Sequence, residues 1–130
     1  MLIFGHSFIP SESLYHTPNI DSINNTPPSS TIYLEFSEEN LDIIEHANLN
    51  HIKFALSIKN ITELIYASAL GAKYILVSYE MAKTAQKIAE NYLFDAKILV
   101  NIQSNDAIEE IALLACDGVI FPNAIIKANG

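Results

Sequence analysis

Three short runs of the chain share one pattern of polar and apolar positions. A lysine opens each, and a small polar residue closes it: Lys53-Phe-Ala-Leu-Ser57, Lys73-Tyr-Ile-Leu-Val-Ser78 and Lys97-Ile-Leu-Val-Asn101. Unbroken apolar runs of this length, rich in Ile, Val and Tyr, are what strands look like when helices cover both faces of a sheet. Related runs at 31–36 and 118–121 extend the series, and Met1–His6 reads as a first short strand. From residue 31 onward the strands recur about every 20–24 residues, which leaves room for one helix between each pair.

The intervening stretches carry the 3.6-residue period. One apolar face joins Leu41 and Ile44, and another Ile61, Leu64, Ile65 and Ser68. Two more join Met81, Ala85, Ile88, Ala89 and Tyr92, then Ile108, Ile111, Ala112 and Ala115. Asn60 with Glu63, and Asp106 with Glu109, have the spacing of capping boxes. Gly71 and Gly118 fall where a helix must stop and turn back into a strand. Strand, helix, strand within one sheet forces a right-handed crossover and parallel pairing. The expected fold is α/β: repeated βα units with a parallel sheet of five or six strands, resembling a truncated (β/α) barrel. An open three-layer, doubly wound sheet is the alternative, because strands are apolar on both faces in either case.

Residues 9–30 break the pattern. Pro10, Pro18, Pro27 and Pro28, with Ser, Thr and Asn between them, exclude regular structure over most of the stretch, which reads as an arm or lid on a single domain of residues 1–130. The chain is 50% hydrophobic with a mean hydropathy of +0.22, and the expected fold leaves sheet edges open. Both lead us to expect a homo-oligomer, most simply a dimer. Seven lysines, no arginine and fifteen acids give a net charge of −8, which opposes nucleic-acid binding and removes the planar fork that grips phosphates. The lone Cys116 allows no intrachain disulfide, and it reads as core packing near a helix end. Met1–His6 lacks a basic leader pattern and no run reaches 18 apolar residues, so the expected setting is cytoplasmic, away from membranes.

Parallel α/β sheets bind ligands at the carboxyl ends of their strands. The lysines mark the amino ends. The candidate ligand residues are therefore Glu35, Ser57, Lys59, Ser78, Asn101 and Gln103, with Asn123 and the Gly5-His6-Ser7 segment at the same end. Glu35 stands out, since an acid near the end of an apolar strand needs a partner or water. His46 and His51 lack the i, i+4 spacing of helical metal ligands, so no metal is expected, and no glycine-rich phosphate loop or nucleophile elbow calls for a cofactor.

Leu34-Glu35-Phe36-Ser37 resembles the Ile-Glu-Val-Thr strand of the class I aldolase barrels that cleave 2-keto-3-deoxy-6-phosphogluconate. Gly71–Ser78 is similar to that family's Gly-Ala-x-Phe-Ile-Val-Ser-Pro strand, and Val119-Ile120-Phe121-Pro122 to its Lys-Phe-Phe-Pro. The resemblance runs from Leu34 to Asn123. It implies a barrel framework of at most six strands with Glu35 at the catalytic glutamate, but it puts Val119 where the Schiff-base lysine belongs. No catalytic residue is therefore expected. The expectation is a binding or interaction module for a small polar metabolite; the alternative is a lyase or isomerase acting on a 2-oxo acid through Lys59 and Glu35.

Overall fold

A computed structural model describes residues 1–128 of the chain. Eight strands form one all-parallel sheet: β1 Leu2–Phe4, β2 Leu14–His16, β3 Thr31–Glu35, β4 Phe54–Ser57, β5 Tyr74–Val77, β6 Lys97–Asn101, β7 Gly118–Ile120 and β8 Ile125–Lys127. Helices α1 Leu41–Leu49, α2 Ile61–Ala69, α3 Ala82–Asn91 and α4 Ile108–Leu113 fill the four crossovers from β3 to β7. The spatial order is β1-β7-β6-β5-β4-β3-β2-β8, and the sheet curls as a truncated barrel does rather than lying open. None of these helices is long and apolar enough to cross a membrane.

Two apolar clusters divide the strand residues by parity. Ile32, Leu34, Phe54, Leu56, Ile75, Ile98, Val100 and Val119 face the helices, against Ile43, Leu64, Ala85 and Ile111. The alternate residues fill the concave side: Phe4, Leu14, Ala55, Tyr74, Leu76, Leu99, Ile120 and Ala124, with Tyr33 and Ile125 packed on them. The staggered register stacks these in layers drawn from alternate strands, Phe4, Leu14, Ala55 and Leu99 below, Tyr33, Leu76, Ile120 and Ile125 above. The interior is packed core, as in (β/α) barrels, and not a channel.

The sheet has eight strands where the repeat pattern shows six. The extra pair is β2, inside the proline-rich stretch, and β8, beyond the last repeat. Only 121–124 separate β7 from β8, too short for a crossover between parallel strands. Instead the chain keeps its direction, passes over the end of β1 and reaches β2. The Phe121 amide donates to the Phe4 carbonyl at 2.9 Å, and the Asn123 amide side chain donates to the Gly5 carbonyl at 2.8 Å. Gly5 fits this crossing: its φ is +87°, and a Cβ there would lie 3.0 Å from Asn123 Oδ1. Residues 9–30 are otherwise irregular, apart from a 3-10 turn at Asp21–Asn25.

The helix faces differ in detail from the periodic reading. Leu64 and Ala67 bury α2, while Ile65 is half exposed; Ala85, Gln86 and Ala89 bury α3, leaving Tyr92 in solvent. In α4 only Ile111 is buried, and Ala112 and Ala115 are exposed. Asn60 caps α2 through the Glu63 amide, at 2.9 Å. Before α4 the cap is Ser104, which accepts from the Asp106 amide, so Asp106 and Glu109 do not act as a box. Cys116 is buried in the helix-side core.

A polar cluster closes the amino end of the concave core. The Glu12 carboxylate accepts from the Tyr74 hydroxyl (2.7 Å), the Thr31 hydroxyl (2.9 Å) and the Lys73 ammonium (3.4 Å). Desolvation alone would raise the Glu12 pKa, but the Tyr74 and Thr31 bonds and the Lys73 charge outweigh it and hold it below the usual value. A lowered folded pKa contributes stability above the unfolded value and loses it as pH falls through the folded one. Glu12→Gln is therefore expected to cost about 1 kcal/mol at neutral pH, because the site is partly exposed, and less at about pH 3. Urea unfolding at both pH values measures this, and an equal cost at both would remove the ionised latch.

Candidate functional site

At the carboxyl ends the concave face turns polar. Parity puts Tyr33 and Glu35 of β3 on that face, with Ser57 of β4, Asn101 of β6, His16 of β2 and Lys127 of β8, each continuing an inward series that begins in the apolar layers. Register places Glu35 opposite Ser57, and His16 opposite both Tyr33 and Lys127. Six polar side chains therefore ring the end of a packed apolar plug.

The ring is organised around Tyr33. Its phenol hydrogen-bonds Ser57, and its ring meets the His16 imidazole edge-on, with centroids 5.8 Å apart at 71°. Burial raises the Tyr33 pKa first and the Glu35 charge raises it further, against the Ser57 bond, so the phenol stays protonated. The Asn101 side chain donates to the Val77 carbonyl at 3.3 Å, and Asn40 donates to the Glu35 backbone carbonyl at 2.8 Å. Glu35, Asn101 and Lys127 are exposed, while His16, Tyr33 and Ser57 are half-buried. Leu76 and Ile120 are buried in the layer beneath, so the site is a dish only in the sense of a polar rim over the packed core at the end of the curled sheet. Its chemistry is a mixed set of donors and acceptors around one carboxylate and one amine.

The residues singled out from sequence divide in two. Glu35, Ser57 and Asn101 lie on the inward face of their strands. Lys59 and Gln103 are exposed in turns beyond β4 and β6, and the Lys59 amide donates to the Glu63 carboxylate at 2.9 Å. Ser78 is half-buried at the head of the 3-10 turn Tyr79–Met81, with its carbonyl accepting from the Met81 amide. Sequence reasoning missed His16, Tyr33 and Lys127. Tyr33 was within reach, because it lies two residues before Glu35 on the same face; His16 and Lys127 sit on three-residue strands with no pattern of their own.

Among the described residues, no three His, Cys, Asp or Glu side chains are grouped to hold a metal ion. A cleft of about 440 Å³ lies at the opposite end of the sheet, between the 23–30 segment and Asn50, His51, Ile52 and Lys53. It is lined by turns rather than strand ends, so the dish remains the better candidate on chemical grounds. Val119, where the aldolase resemblance would put a lysine, is fully buried on the helix side. No protein-family model matches the chain, and no curated protein is similar to it in sequence.

Proposed function

We propose that this chain is a non-enzymatic binding module that holds a small polar metabolite in the dish at the strand carboxyl ends. The observation that carries the reading is the inward-facing set Glu35, Ser57, Tyr33 and His16 above an apolar floor. Hydroxyl, phenol, imidazole, amide and carboxylate groups side by side suit a polyhydroxylated or amine-bearing ligand, which offers donors and acceptors in return. A polyphosphate fits poorly, since Lys127 is the one cation of the ring and the chain carries a net charge of −8. The metabolite pool and the lone thiol of Cys116 both suit a cytoplasmic setting.

The alternative, Schiff-base chemistry at Lys59, needs an amine whose pKa is brought down by burial or a nearby cation. Lys59 is exposed in the turn that caps α2. Thermal-shift screening with sugars, amino sugars and polyols tests the binding reading. A hit should weaken at least about tenfold in Glu35→Ala and Asn101→Ala, as expected for loss of one polar contact to a ligand. A hit untouched by both substitutions would take the dish out of consideration. Borohydride trapping with pyruvate tests the alternative, and a stable adduct on Lys59 would overturn the proposal.

A further inference from the structure

Phe36 follows Glu35 and so turns the other way, outward to the helices, where it packs on the helix-side core. Its ring stacks on Tyr66 of α2, with centroids 6.1 Å apart and planes 27° from parallel. With Ser37, Glu38, Leu41 and Ile44, these two rings line a slot of about 170 Å³ between α1 and α2. Ile44 is buried at its base, and Tyr66 and Leu41, 54% and 40% exposed, form its lips.

The acidic wall of the slot is braced. Ser37 caps the 3-10 turn Glu38–Asn40 by accepting from the Glu39 amide at 3.2 Å, and the Asn40 side chain ties that turn to the Glu35 carbonyl at 2.8 Å. Glu35, Glu38, Glu39, Asp42 and Glu45 fall within residues 31–52, a stretch with no lysine. Among the described residues the one ion pair joins Lys73 to Glu12, so none of these carboxylates is ion-paired.

We propose that the slot binds a small organic ammonium ion, its cationic centre against the Phe36 and Tyr66 rings and beside the Glu38 carboxylate. The faces of aromatic rings attract cations through their quadrupole. Leu41 and Ile44 supply contact for the alkyl groups of such an ion, which an inorganic cation lacks. The volume also fits, since a cavity of about 150 Å³ holds a molecule the size of benzene, and a quaternary ammonium group is of similar size. The surrounding carboxylates raise the local concentration of cations, and the same field disfavours a phosphorylated or lipid-borne headgroup, whose phosphate would face five acids and no lysine. The slot lies on the opposite face of β3 from the dish, and the proposal is independent of the metabolite reading.

Titration of the full chain with choline chloride, followed through backbone amide chemical shifts, tests it. The expected Kd is about 1 mM, the scale for a ligand of about seven non-hydrogen atoms, with the shifts centred on 36–44 and 62–67. Phosphocholine and 3,3-dimethylbutan-1-ol, the uncharged isostere of choline, should each bind at least about fivefold more weakly. Tyr66→Leu and Glu38→Gln, both at exposed positions, should each weaken choline about fivefold or more. Tyr66→Leu should leave the isostere's affinity unchanged, because it keeps apolar contact and removes only the ring face. Where Tyr66→Leu loses the native circular dichroism spectrum, Leu41→Lys takes its place: an ammonium set at the lip of the slot should abolish choline binding. No shift at about 20 mM choline, an isostere that binds as well as choline, or affinity unchanged in these variants would overturn the proposal. Cosedimentation with phosphatidylcholine vesicles would overturn it in favour of a membrane surface. Shifts centred on Ser57 and Asn101 would overturn it and leave the metabolite reading standing.

Discussion

Gly118→Ala is expected to destabilise the protein by about 3 kcal/mol, the upper part of the range for forcing a methyl group into a packed core. A Cβ at this position would lie 2.6 Å from the Leu2 carbonyl oxygen, 2.8 Å from Leu2 Cβ and 2.9 Å from Leu99 Cδ2. Leu2 and Leu99 are the register partners of Gly118 in β1 and β6, so the methyl group meets both neighbouring strands at once. Leu99 can change rotamer, but the Leu2 carbonyl belongs to the backbone of an edge strand, and moving it means loosening β1 from β7. Gly71 is the control. Its φ is +92°, but a Cβ there meets nothing closer than Asn48 Oδ1 at 3.6 Å, so Gly71→Ala should cost only about 1 kcal/mol of backbone strain. In thermal unfolding the two variants should differ by roughly 8 °C in Tm. Equal losses would mean that β1 is not tightly held against β7.

Gly118 also shows where reading the sequence succeeds and where it stops. The turn from helix to strand before β7 is legible, but the local pattern accounts for the glycine only as part of that turn. The left-handed residue at that helix end is Ala115, with φ +59°, and Gly118 is needed three residues later for close approach of strands. Close approach is a tertiary property, which no local pattern announces. The strands β4 to β7 were legible because each is a continuous apolar run followed by a helix. β2 and β8 were not, because three residues cannot display a period, and each gains its identity from neighbours distant in the chain, such as Leu14 opposite Ile125. Helix faces were misphased by about one residue in α2, where Ala67 rather than Ile65 meets the sheet. A small residue fits that close contact, and hydrophobicity alone favours the larger one.

The candidate site was partly legible for the same reasons. Once the carboxyl ends were assigned, Glu35, Ser57 and Asn101 followed from the ends of apolar runs. Their common inward orientation depends on register, and so do the neighbours that complete the ring. Tyr33 comes from the same strand as Glu35, but its bond to Ser57 crosses to β4. His16 reaches Tyr33 only because an irregular segment contributes a strand between β3 and β8. Lys59 and Gln103 carried the same polar signal, yet they lie in turns past the strand ends, where sequence does not distinguish a helix cap from a ligand contact.

Leu76→Ala is expected to cost about 3 kcal/mol, within the range of about 2–5 for truncating a buried leucine, with a cavity left behind. Leu76 is 1% exposed and lies on the concave side among Phe4, Leu14, Leu99 and Ile120, in the layer directly beneath the polar ring. That core draws one or two side chains from each of eight strands and is enclosed by the sheet itself, so its walls cannot collapse into the gap without changing the curl. Leu113→Ala, at a site 81% exposed, should change stability by no more than about 0.5 kcal/mol. A dry cavity lined by leucine, isoleucine and phenylalanine also takes up small apolar molecules. Benzene or xenon should therefore raise the Tm of the Leu76→Ala variant and leave the wild type unchanged. If Leu76→Ala costs no more than Leu113→Ala, the concave side is wet rather than packed. The dish formed by Glu35, Ser57, Tyr33 and His16 would then lack the apolar floor on which its binding role depends.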